Sequence, residues 1–177
     1  GTQSSGLMSA QFGSMVKRMH HGRSAQSGLY AALLAANGYT GIQRIFEERY
    51  GGFCTTFTAT EDGFELSRLV DGVGTRFETE RIAIKPYACN GSIHTSLDAV
   101  RAIRERRSFG SEEVAKVTVR CTSATLKHVG WEYKPAGMTA AQLNLSFGVA
   151  AMIEFGDVFV DRFTEETIRS PRLLELT

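Results

Sequence analysis

A chain of 177 residues, 42% hydrophobic and 22% charged, can form one large or two small domains around a hydrophobic core, and its composition excludes disorder. The formal net charge of +1 gives no global electrostatic case for nucleic acid or an acidic membrane surface as partner. Cys54, Cys89 and Cys121 are odd in number, far apart and without a CxxC pair, so neither a zinc site nor a disulfide framework is expected, and a reducing, cytoplasmic setting fits best.

Residues 4–20 predict a helix, because Met8, Phe12, Met15, Val16 and Met19 fall on one face at helical spacing. The opposite face carries Gly6, Ala10 and Gly13, then Lys17, with His20 beside it. Such a bare strip admits either a tightly packed neighbour, with Lys17 reaching water, or a ligand; spacing alone favours the former. Ser24 is expected to cap a second helix of small and apolar residues, ended by Asn37 and Gly38. Being apolar nearly all round, that helix should be buried. Its longest apolar run, Leu29 to Ala36, is far too short to span a bilayer. Residues 40–52 predict a short helix closed by Gly51 and Gly52, and "ATEDG" after Thr58 reads as a polar turn at a domain boundary.

Beyond that boundary strands and helices are expected to mix. "RIAIKPY" predicts a short strand stopped by Pro86. "EVAKVTVRCTS" alternates, with Val117, Val119 and Cys121 on one side and Lys116, Thr118 and Arg120 on the other, which predicts a half-buried strand. Between them Ser92 caps a helix to about Arg107. Thr139 and Gln142 form a capping box before a buried helix ended by Gly156. Ser170 and Pro171 read as the N-cap and first residue of a last helix. The chain opens on Gly1 and stops within about two turns of that helix, so a piece of a longer protein is expected.

Few residues carry chemistry by themselves. His94 lies in the first turn of its helix, where the dipole disfavours imidazolium, and Asp98 is one turn on, able to hold the other ring nitrogen. A neutral, oriented imidazole is what a general base requires. The same spacing also describes a surface His–Asp pair of little energetic weight. Lys85 ends a strand before Pro86, and Lys134 precedes Pro135 in a loop; such positions line sites, although a solvated lysine is the commoner outcome. There is no GxGxxG, GxxxxGK[ST] or GxSxG motif and no histidine pair at metal spacing, so neither nucleotide nor metal binding has support.

Four stretches together resemble the MmgE/PrpD family, typified by 2-methylcitrate dehydratase. They are "SSGLMSAQFGSMVKRMHHGRSAQSGLYAALLAANGYTG", "GGFCTTF", "IKPYACNGSIHTSLDAV", and "MTAAQLNLSFGVAAMIEFGDV" followed by "FTEETI". The resemblance runs over nearly the whole chain in the family's order. It implies an α+β fold: residues 1–58 as part of an all-helical domain, then residues 59–177 as a smaller mixed α/β lid domain, incomplete at its C-terminus. It implies Lys17, Lys85 and His94 as catalytic residues of an interdomain cleft, with His20, Arg23 and Lys134 binding substrate and with neither metal nor cofactor. Further acid/base groups would come from parts of the family chain absent here, leaving this stretch inactive alone.

The implied substrates are small polycarboxylates, and the implied step loosens a proton beside a carboxylate. Loss of hydroxide then gives a dehydratase, proton return on the other face an epimerase, and loss of CO2 a decarboxylase. The resemblance points first to a hydro-lyase acting on a tricarboxylate such as 2-methylcitrate. The alternatives are an epimerase or decarboxylase of the iminodisuccinate or cis-aconitate type, or a catalytically silent unit. A homodimer is implied for the complete protein.

Overall fold

The computed structural model describes residues 7–12 and 14–177, so the expectations for Gly6 and Gly13 lie outside the described residues. Met8–Gln11 forms a single 3-10 turn, and helix α1 then runs unbroken over Val16–Ala36. The predicted division into two helices is therefore corrected: α1 begins where the Ser14 hydroxyl accepts the Val16 N–H, and Ser24 lies inside it. Residues of good helix propensity between Lys17 and Ala36 carry the helix through Gly22 and Gly28. Its end is as read from the sequence. Gly38 adopts φ +85°, its N–H bonds the Ala35 carbonyl, and the Tyr39 N–H bonds the Leu34 carbonyl, a Schellman ending.

The helix expected over residues 40–52 is instead a series of turns. Arg44 sits at φ 54°, which an α-helix cannot pass through, and Gly51 at φ 70°. Helix α2, Phe53–Thr58, follows, with the Phe53 ring 5.6 Å from that of Phe46 and 4.9 Å from that of Phe57.

No strand occurs among the described residues, so the α+β expectation with a mixed α/β lid domain is overturned and the chain is mainly helical. Residues 82–86 and 115–121 carry no regular structure and exchange no backbone hydrogen bonds with a neighbouring segment. Alternation describes a backbone suited to pairing, but a strand exists only where a second backbone lies alongside it. The faces differ too: Val114 and Val119 pack on the core, while Val117 and Cys121 are exposed.

The chain forms two compact units, residues 1–24 with 85–177, and residues 25–84. The core of the first is built on α6, Leu145–Phe155, which buries residues on every side, among them Phe147, Val149, Met152 and Ile153. Its start is set by Asn144 rather than by the expected Thr139/Gln142 box. The Asn144 side chain is fully buried, accepts the Phe147 N–H at 2.9 Å and donates to the Trp131 carbonyl at 2.6 Å. Thr139 and Gln142 fall within a separate short helix, α5, Met138–Gln142. Gly156, at φ 77°, ends α6 as predicted.

Helix α3, His94–Arg106, packs on α6 through Leu97 and Val100. Asn90, not Ser92, provides its entry: the Asn90 side chain accepts the Ser92 N–H and starts a 3-10 turn over Gly91–Ile93. Gly148 lets the two elements approach closely, because a Cβ there would stand 3.1 Å from Ile93 Cγ2. Helix α4 spans Ser123–Val129 and α7 spans Glu165–Ile168. Helix α8, Pro171–Leu176, starts with proline at its first turn and lays Leu173 on the core. Residues 7–12 dock through buried Gln11, which donates to the His128 carbonyl, and through Phe12, edge-on to Trp131 at 5.5 Å.

Candidate functional site

Within the unit of residues 1–24 and 85–177, a cleft of about 490 Å³ opens between the first turns of α1 and the segment 85–90. Lys17, Arg18 and His21 line it from α1; Lys85, Tyr87, Ala88, Cys89 and Asn90 from the segment; Thr139, Gln142 and Leu143 from α5 and its end; and Phe159 completes the wall. The segment is held by its backbone, the Ala88 N–H on the Val158 carbonyl at 3.0 Å and the Asn90 N–H on the Gln142 carbonyl at 2.8 Å. Lys85 folds back so that Nζ donates to the Cys89 carbonyl at 3.3 Å. The Arg18 guanidinium donates to the Gln142 side-chain carbonyl.

The electrostatics are one-sided. No aspartate or glutamate lines the cleft, and among the described residues Lys17, Arg18 and Lys85 form no ion pair. The first turn of α1 holds no acidic residue, although the positive end of a helix dipole favours one there. Two cationic side chains at that end raise the local positive potential further, and an anion in the cleft relieves it. Cys89 contributes no nucleophile: burial pushes its thiol up to about 11 against the opposing pull of the Lys85 ammonium, which leaves it protonated near neutrality.

Tyr87 joins the cleft wall to α3. Its hydroxyl donates to Asp98 Oδ1 at 2.7 Å, and burial followed by that bond pushes the phenol up to about 12. The Arg101 guanidinium lies 5.0 Å from the ring centroid, and the His94 ring stands edge-on at 5.2 Å. The sequence reading gave Asp98 to His94. Here Asp98 is engaged by Tyr87, no hydrogen bond joins it to His94 among the described residues, and His94 Nε2 is buried without a partner.

Of the six expected site residues, the structure brings Lys17 and Lys85 to one cleft. His94 stands one ring behind the wall, beside Tyr87. His20 and Arg23 lie on α1 outside the lining, and Lys134 is exposed beside Glu132 at 3.7 Å, also outside it. Arg18, His21, Asn90 and Gln142 also line the cleft but were not named as site residues from the sequence, where Gln142 was read only as part of a capping box. A signal for Arg18 was present: Lys-Arg in the first turn of a helix runs against the dipole preference. Among the described residues no group of three or more His, Cys, Asp or Glu side chains converges as a metal site would require.

Comparison with known proteins gives two family matches: the MmgE/PrpD N-terminal domain over residues 1–65 and the MmgE/PrpD C-terminal domain over residues 87–177. A cis-aconitate decarboxylase-like protein, oryM, of Aspergillus oryzae is 32% identical over 185 residues, covering 99% of this chain and 38% of that protein. A cis-aconitate decarboxylase of Aspergillus terreus is 32% identical over 187 residues, with the same shares covered. The chain thus spans 38% of the length of these curated relatives.

Proposed function

Since the chain belongs to the MmgE/PrpD family, we propose that it forms part of a lyase acting on a small polycarboxylate, with cis-aconitate decarboxylation as the reaction. The observation that carries this reading is the cleft in which Lys17, Arg18 and Lys85 meet without a carboxylate among the lining residues. Ammonium and guanidinium groups with no internal counter-ion are suited to receive carboxylates from a ligand. The names of the relatives support decarboxylation over the dehydration of 2-methylcitrate to which the sequence resemblance pointed first.

The chemistry follows from the charges. When the bond to the departing carboxyl group breaks, CO2 leaves and its electron pair stays with the substrate, delocalised toward a neighbouring carboxylate. Cations already seated on that carboxylate stabilise the added charge without reorganising. A proton then adds to carbon. His21 is an imidazole within the cleft wall and can deliver it, whereas His94 lies behind Tyr87.

The test is turnover by the complete protein, with CO2 release from cis-aconitate measured beside water loss from 2-methylcitrate. CO2 release alone is the expected result. Water loss from 2-methylcitrate without CO2 release would replace decarboxylase by dehydratase. Absence of both reactions would overturn the lyase reading.

A further inference from the structure

We infer that Arg18, oriented by Gln142, is a specificity-determining residue that seats one carboxylate of the ligand and so selects tricarboxylates over dicarboxylates; the inference rests on the polycarboxylate reading of the cleft. Lys17 and Lys85 are point charges on flexible stems. Arg18 differs in kind, because its guanidinium is a planar fork that matches a carboxylate with two parallel hydrogen bonds.

Its partner in the structure is informative. The arginines of the ion pairs elsewhere in the chain, such as Arg76 with Asp71 and Glu78 or Arg162 with Asp157, have their charge compensated by an acid. Arg18 meets the neutral amide of Gln142. An amide acceptor occupies one of the five N–H donors and fixes the plane of the fork, yet it cancels no charge. Gln142 is itself anchored, since its backbone carbonyl accepts the Asn90 N–H at 2.8 Å. The guanidinium therefore lines the cleft aligned, charged and with donors to spare. Two lysines suffice for two carboxylates; an oriented third cation adds a seat for a third.

The experiment is calorimetric titration of the complete protein with two saturated ligands that differ by one group and, lacking a double bond to take up the electron pair, do not decarboxylate. Tricarballylate carries three carboxylates. Methylsuccinate keeps two of them but has a methyl group in place of one carboxymethyl arm. The wild type is expected to bind tricarballylate about tenfold or more tightly than methylsuccinate, as one charge-assisted seat implies. Arg18→Gln should remove that preference by weakening tricarballylate and leaving methylsuccinate unchanged. Arg18→Lys should retain part of it, and Gln142→Met, which keeps the chain length but removes the acceptor, should lose part of it. Arg18 is exposed in the first turns of α1, so circular dichroism should report an unchanged fold for its variants.

If Arg18→Gln weakens both ligands equally, the arginine supplies only general potential and the inference fails while the cleft stands. If the preference survives Arg18→Gln intact, the third seat lies elsewhere. Failure of the wild type to bind either ligand would overturn the polycarboxylate reading and this inference with it.

Discussion

The unit of residues 1–24 and 85–177 holds every buried large apolar side chain among the described residues; between residues 25 and 84 only Gly52 is buried. The contrast does not come from composition. Residues 25–84 include Leu29, Tyr30, Leu33, Phe46, Phe57 and Phe77, all exposed. Helix α6 and the α1 stretch through Ala36 are both rich in alanine and leucine or similar residues, yet α6 is enclosed by α3 and α8 while no residue of α1 is buried. Apolar content is a capacity for burial, and a packed neighbour turns it into stability.

Truncation separates the two regions most strongly. Phe147→Ala, at a fully buried position in contact with the Tyr133 and Phe163 rings, should cost roughly 3–5 kcal/mol of unfolding free energy. Leu33→Ala, more than half exposed on α1, should stay within about 0.5 kcal/mol. Urea titrations of both variants check this. A comparable loss at Leu33 would show that the side chain is covered in solution, and the contrast would disappear.

Thiol chemistry sharpens the same comparison. Cys54 is half-buried in the 25–84 unit, Cys121 is exposed, and Cys89 is buried with its thiol pushed up to about 11. At pH 8 that shift lowers the thiolate fraction of Cys89 by about a hundredfold relative to an ordinary cysteine. Alkylation followed by mass spectrometry should find Cys121 modified first and Cys89 last. Early modification of Cys89 would mean that the floor of the cleft opens.

Within the unit of residues 1–24 and 85–177, charge removal should distinguish the cleft from its surroundings. Lys17→Ala and Lys85→Ala should each lower kcat/KM of the complete protein by about tenfold to a hundredfold, the worth of a charge-assisted contact. Lys134→Ala, whose ammonium is exposed beside Glu132, should change it less than twofold. Equal losses at all three positions would make the cleft assignment indistinguishable from a general loss of positive charge.

These contrasts also mark how far the sequence could be read. Endings announced by local backbone chemistry were legible: Gly38 after α1, Gly156 after α6, and Ser170 with Pro171 at α8. Each depends on a few adjacent residues. The strands were not legible, because the alternation of residues 113–123 says nothing about whether a second backbone lies beside them. The start of α6 was misplaced for a related reason. Thr139 and Gln142 satisfy a capping pattern, but Asn144 wins because its amide also reaches the distant Trp131 carbonyl. At the cleft, Lys17 and Lys85 were reached through family resemblance, since 68 positions separate them and no spacing rule links them. Asp98 was assigned by helical spacing to His94, and Tyr87, eleven residues earlier, takes it instead.

The smallest expected effect is a pH dependence within the unit of residues 1–24 and 85–177. Asp157 accepts two hydrogen bonds from the Arg162 guanidinium, at 3.1 and 2.8 Å, and that bonding holds its carboxyl below the usual carboxylate range although partial burial opposes it. A carboxylate whose folded-state pKa is depressed binds protons less readily in the folded chain than in the unfolded one. Its stabilisation is therefore complete above the unfolded value of about 4 and disappears as pH falls through the lower folded value. Asp157→Asn should accordingly be slightly less stable than the wild type at pH 7 and converge with it in acid. The difference should be small because both side chains of the pair are partly exposed and screened by salt. Thermal melts of both proteins at pH 7, 4 and 2.5, followed by signals from the α6 core, provide the test. A gap that widens toward acid would contradict the sign of the shift, and a gap independent of pH would assign the effect to lost packing of Arg162 over the Phe155 ring, 5.2 Å from its centroid, rather than to the ionised carboxylate.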